Sequence, residues 1–296
     1  MNEPLDFPDY SAKRVTQQLA FSRFDTAQNL WRDAEATHED VHRESLACVT
    51  FNTWFQGAEP ELRYAGLLDV LRKSNADVIV LQEATTRLVD AIMQTQRVRR
   101  EYGYARAPFR IDTIPSHGVM MLSKLPLQSA LLHPLPTHMG RNLLVAECRI
   151  NGQRFVFATA HLESMKPYAD VRGEQLKAIF ALLDDAPNVI FAGDFNFCSS
   201  WLEENSRIDK RYADIWAVLR PDDPGYTQDP DLNRMLALTK RARRKVRIDR
   251  ILLRSDAQPP LWKPATAHLL GVQAVSNQYP AIFASDHFGV AATIVL

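Results

Sequence analysis

Cysteine is scarce in this chain and scattered along it. Only Cys48, Cys148 and Cys198 occur among 296 residues. None has CxxC spacing, which argues against a metal site built on cysteine pairs. Their odd number and wide separation fit small buried apolar residues in a reducing compartment. Net charge is lacking too: 35 Lys and Arg balance 35 Asp and Glu. That excludes a protein basic all over but leaves room for a local basic face. No apolar run approaches the length of a membrane span. The opening MNEPLDFPDY has neither the basic flank nor the apolar stretch of a signal peptide. Internal repeats, low-complexity linkers and a GxSxG serine elbow are missing as well. The expectation is a soluble cytoplasmic protein that engages no membrane.

What is present is a hydrophobic content of 46%, enough for one large core or two smaller ones. Short apolar runs at 46–51, 78–82, 118–122, 143–150, 155–160, 189–192, 246–253 and 290–296 predict buried strands. Asn151-Gly152 between two of them is a strong hairpin signal. Helical patterns fall at 61–73, 86–100 and 171–184, with another near 212–219. Strands interleaved with helices predict one α/β domain, two packed sheets with helices outside. Residues 1–44 lack such periodicity but hold aromatics at 21–31. They are expected to form an N-terminal arm packed on a catalytic domain at 45–296.

Polar residues gather where the strands end: Asn52, Glu83, His161, Asp194 with Asn196, and Asp286 with His287. Gly193 is expected to break the run at 189–192. In an extended segment Asp194 and Asn196, two apart, would point the same way. Singly, each residue has an ordinary structural explanation: a turn, a solvated carboxylate, a satisfied histidine. Jointly, carboxylates, carboxamides and imidazoles at strand ends suit a hard divalent cation, a bound phosphate and an activated water. The one marked charge run, KRARRKVR at 240–247, lies beside the strand carrying Asp249. Arg243, Arg244 and Lys245 in it are candidate nucleic-acid contacts, although charge runs more often sit on solvated surfaces.

Six ordered motifs carry a resemblance: TFN at 50–52, LQE at 81–83, HLES at 161–164, GDFN at 193–196, RIDRIL at 247–252 and SDHFG at 285–289. Together they resemble the endonuclease/exonuclease/phosphatase superfamily, which includes deoxyribonuclease I and exonuclease III. The likeness runs from about residue 46 to the end and implies a four-layered α/β sandwich. MGRNLL at 139–144, HLES, and Arg172 with Gln175-Leu176 are most similar to the tyrosyl-DNA phosphodiesterase 2 group. That group uses magnesium to remove tyrosine from DNA 5′ ends.

The resemblance implies magnesium as cofactor, with manganese as a substitute, held by Glu83 and supported by Asp286. It makes Asn52, His161, Asp194, Asn196, Asp249 and His287 catalytic, with Asp194 activating water and Asp249 holding His287. Ser164, Arg141 and Asn142 become substrate contacts. The implied partner is DNA with a 5′ tyrosyl or peptide adduct, and no obligate protein partner. Two positions depart from the group: Cys198 replaces an arginine, and Gln228 replaces a tryptophan after Tyr-Thr. Abasic-site nucleases and lipid or inositol phosphate hydrolases of the same superfamily are the alternatives. A catalytically silent nucleic-acid-binding module is disfavoured by the presence of both Glu83 and His287.

Overall fold

The computed structural model of the protein describes residues 15–56, 59–106, 117–239, 244–256 and 262–296. Two eight-stranded sheets pack face to face. One is centred on Ser45–Asn52, flanked by Gly289–Val295 and Val78–Thr85. Outward from Val78–Thr85 it continues with His117–Ser123, Gly103–Arg106, Phe21–Asp25 and Leu30–Ala34. Lys263–Leu270 closes its other edge. The second sheet is centred on Asn142–Ile150, Gln153–His161, Asn188–Asp194 and Asp249–Ser255. This is the expected α/β sandwich, with helices as its outer layers.

Alternation along the central strands explains why they read as unbroken apolar runs. Cys48, Val78 and Val80 face the core between the sheets, where they join Phe155, Phe157, Ile190 and Ile251 of the second sheet. Val49, Phe51, Ile79 and Leu81 face the other way, onto Leu67, Leu71, Leu88 and Ile92 of the helices Pro60–Ser74 and Thr86–Gln94. On the far side Val156, Val189 and Phe191 pack on Leu176 and Ile179 of the helix Ala169–Leu182. A strand covered on both faces carries apolar residues at both parities. All three cysteines are free and buried.

Three expectations change on inspection of the backbone. The helix expected over 86–100 is two helices, Thr86–Gln94 and Gln96–Glu101, parted by Thr95 in an extended conformation. Gly193 does not end its strand, which runs on through Asp194. A Cβ at Gly193 would lie 2.1 Å from the Ala160 carbonyl oxygen, so close strand approach is what requires glycine there. The third change concerns residues 15–44. They do more than lie on the body through aromatics such as Trp31, which packs edge-on against Tyr104. Gln17–Gln18 and Asp40–Val41 pair with the second sheet, while Phe21–Asp25 and Leu30–Ala34 extend the first.

A polar pin crosses the inter-sheet core just below the strand ends. Gln82 accepts from the Thr50 hydroxyl at 3.2 Å and donates to Thr159 Oγ1 on the opposite sheet at 3.0 Å. All three residues are fully buried. Gln82→Met would keep the volume but leave both hydroxyls with a lost partner. Stability should fall by about 1–3 kcal/mol, read as a lower urea midpoint at unchanged slope.

Candidate active site

The two sheets end together at one cleft, and Asn52 is its corner. It closes the strand Ser45–Asn52, and its Oδ1 accepts from the Trp54 amide at 3.0 Å. Its Nδ2 reaches across the sheets to Asp194 Oδ2 at 2.8 Å, with Glu83 Oε1 at 3.4 Å. Glu83 is not past the end of its strand, as its position after an apolar run suggests. It sits inside Val78–Thr85 at a register shift between Leu81 and Ala84, with a φ of 57°. A bulge re-aims a side chain, and a non-glycine residue in the left-handed region is held there by its surroundings. Here the Phe55 amide donates to Glu83 Oε2 at 2.9 Å.

Asp194 and Asn196 also meet differently from the expected alternation. Asn196 has a φ of 54°, so the chain has left the extended form. Its amide donates to Asp194 Oδ1 at 2.8 Å, and its side-chain Nδ2 donates to the Leu162 carbonyl at 2.9 Å. Asp194 is thus gripped at both oxygens and fully buried. Burial, and then the nearby Asp249 carboxylate, push its acid form up to about 7. That places a carboxylate near the protonation balance suited to a general base at neutral pH.

His161 Nε2 lies 3.4 Å from Asp194 Oδ2 and 3.9 Å from Glu83 Oε1. Its Nδ1 is 2.8 Å from Arg141 Nη1. A guanidinium can only donate, so Nδ1 accepts and the ring proton sits on Nε2, facing the cleft. Burial, and then Arg141, hold the His161 imidazole neutral, well below its ordinary range. Arg141 also donates to Ser164 Oγ at 2.7 Å. Asn142 donates to the Gly140 carbonyl at 3.0 Å and so braces the turn that carries Arg141. The sequence missed Glu163, whose carboxylate accepts from Thr137 Oγ1 and the His138 amide and fixes the same turn from below.

On the opposite wall His287 Nδ1 donates to Asp249 Oδ2 at 2.8 Å. Burial alone would lower the imidazole, but Asp249, then Asp286 and Asp194, outweigh it and raise it well above its ordinary value. Asp286 is pushed up to about 6, chiefly by burial, with the Glu83 carboxylate adding to the rise. Ser285 Oγ ties this segment to the Asn52 carbonyl at 2.7 Å.

The likeness drawn from the motifs is matched over most of the chain. The sequence pattern of the Endonuclease/Exonuclease/phosphatase family matches residues 49–287. The chain belongs to that family. It is a phosphodiester hydrolase. Tyrosyl-DNA phosphodiesterase 2 of Homo sapiens is 29% identical over 262 residues, covering 85% of this chain and 69% of the relative. The crystal structure of D. rerio TDP2 complexed with single strand DNA product superposes with a TM-score of 0.73 at 25% identity. It covers 86% of this chain and 100% of that one. Sphingomyelinase C from Streptomyces griseocarneus shares the fold, with a TM-score of 0.64 at 21% identity over 84% of this chain and 99% of its own. The family fold alone therefore does not name a substrate.

The basic run is weaker than its composition suggests. Arg243 lies outside the described residues. Lys245 is paired with Asp231 at 2.8 Å and Asp229 at 3.4 Å. Arg247 is buried and bonded to Asp214 at 2.7 Å. Arg244 is exposed. Arg244→Ala should therefore flatten the salt dependence of DNA binding by about one unit of log–log slope, and Lys245→Ala by less. Fluorescence anisotropy across a salt series reads both. Among the described residues no helix is long and apolar enough to cross a membrane.

Proposed function

We propose that this member of the family hydrolyses phosphodiesters at DNA ends, with a 5′-phosphotyrosyl linkage as substrate and magnesium as cofactor. One observation carries the reading. Asn52 on one sheet bonds Asp194 on the other, so the ends of both sheets form a single polar centre. The support for the substrate is the relatives, which are named for tyrosyl-DNA phosphodiesterase activity.

Glu83 and Asp286 fit a magnesium site. Both offer hard oxygen donors, few carboxylates suffice for this ion, and their mutual repulsion is what a divalent cation relieves. Asp194, Asp249 and His287 also lie close enough to hold an ion, with ligand atoms within 4.8 Å of one another. We place the cation at Glu83 instead, because the His287 ring beside Asp249 is held protonated and offers no lone pair to an ion. Bound there, magnesium would supply positive charge beside the phosphate oxygens.

The chain's own residues do the rest. Asp194 orients a water and takes its proton. His287, held by Asp249, donates to the phosphate as negative charge develops. His161 donates from Nε2, fixed in that tautomer by Arg141. Asn52 spaces Glu83 from Asp194, and Asn196 holds the Asp194 carboxylate in line. Tyrosinate is a good enough leaving group to depart with modest help, since a phenol ionises at a pKa of about 10.

The test is tyrosine release from a 5′-phosphotyrosyl oligonucleotide with magnesium or with EDTA. Release should require magnesium. In parallel, magnesium should raise the melting temperature of the wild type and leave Glu83→Gln unmoved. Turnover in EDTA, or an equal magnesium shift in Glu83→Gln, would remove Glu83 from the cation site.

A further inference from the structure

The Gln228 side chain lies against His287. Its Nε2 is 2.8 Å from His287 Nε2, on the side of the ring away from Asp249. The contact is built in from three directions. The Gln228 amide and carbonyl both pair with Val246, each at 3.0 Å. Thr227 Oγ1 accepts from the Ile248 and Asp249 amides at 3.1 and 3.2 Å. The Phe288 amide, next to His287, donates to the Thr227 carbonyl at 2.7 Å. Asp249, His287 and Gln228 are therefore tied to one another, and Gln228 remains partly exposed.

We propose that Gln228 is a further substrate-contacting residue of this site: its amide holds the His287 ring opposite Asp249 and gives its remaining N–H to a non-bridging oxygen of the scissile phosphate. The inference rests on the reading of the cleft as a nucleotide phosphodiesterase. A carboxamide suits the place because it serves either state of the ring. Its N–H donates to a neutral Nε2, and its carbonyl accepts from a protonated one. Either arrangement leaves at least one N–H free. An oxygen that approaches His287 Nε2 also comes within reach of that N–H, because the two groups are already bonded to each other. The amide adds a neutral donor without charge to repel the phosphate.

The experiment uses the p-nitrophenyl ester of thymidine 5′-phosphate and its two phosphorothioate diastereomers, with magnesium. Gln228→Met keeps the length of the side chain and loses the amide. Its kcat should fall about 10- to 100-fold with KM little changed, in the range of one donor to a developing oxyanion. The rate cost of sulfur should shrink in one diastereomer and persist in the other, since only one position loses its donor. Gln228→Glu should be slower than Gln228→Met, because it offers no N–H and sets a charge against the phosphate. An unchanged magnesium-induced melting shift confirms that each variant keeps its site.

Wild-type kcat in Gln228→Met, or equal sulfur costs in wild type and variant, would overturn the inference while leaving the cleft's function standing. A faster Gln228→Met would overturn it too, by making Gln228 a competitor for His287. A wild type that cleaves none of the esters would remove the underlying reading, and the inference with it.

Discussion

Asp194→Asn should lower kcat by about 10²–10⁴-fold on any phosphodiester the enzyme turns over, the range for removal of a positioned general base. The substitution keeps one oxygen for the Asn196 amide but turns an NH2 toward Asn52 Nδ2, so one of the two bonds that grip the carboxylate is lost. The loss in kcat comes from the missing base. Stability should respond to pH. With its acid form raised to about 7, Asp194 holds its proton more tightly in the folded protein than in the unfolded chain. Its contribution is thus fully present below the free-carboxyl value of 3.8 and is lost progressively as pH rises from there through about 7. At pH 8 without metal the ionised carboxylate is buried near Asp249, and asparagine removes that repulsion. Relative to the variant, the wild type should gain melting temperature as pH falls from about 8 to about 4. A difference that stays constant over that range would contradict the raised acid form of Asp194.

His287→Ala should cost both activity and stability. Loss of one donor to the developing charge accounts for about 10²–10³ in kcat. The fold suffers because Asp249 is fully buried and loses its ion-pair partner, at a cost of about 3–5 kcal/mol. The double variant His287→Ala, Asp249→Ala removes the stranded carboxylate as well. It should recover much of the stability and none of the activity. If the double variant is as unstable as the single, the dyad's structural share has been misassigned. If it recovers turnover, His287 is not a donor to the phosphate.

The legibility of the chain follows from what sets each feature. Strand runs such as 78–82 and 189–192 were readable because the sandwich covers both faces of its central strands. The gathering of Asn52, Glu83, His161, Asp194 and His287 was readable because polar residues at strand ends are costly to bury unless paired or used. Their mutual geometry was not. Glu83 reaches the cleft through a bulge and a positive φ, and no residue in VIVLQEAT marks where the extra residue falls. Asn196 turns away from the alternation that a strand would impose. Arg141 reads as a substrate cation, yet it lies against His161 and Ser164, a pairing that only the fold brings together. Glu163 and Gln228 carried no local signal for the contacts they make. Short edge strands in residues 15–44 were hidden because their exposed faces erase the apolar pattern. In the charge run at 240–247 the partners were not legible either: Lys245 pairs with Asp229 and Asp231, and Arg247 with Asp214.

One measurement bears most directly on the proposed activity: kcat/KM, with magnesium, on a 5′-phosphotyrosyl oligonucleotide set against an abasic-site duplex and sphingomyelin vesicles. The account predicts that the tyrosyl oligonucleotide is the preferred substrate, yielding free tyrosine and a 5′-phosphate. It also predicts that Asp194→Asn and His287→Ala remove that activity. Preferred cleavage of the abasic duplex or of sphingomyelin, with the tyrosyl linkage left intact, would contradict it.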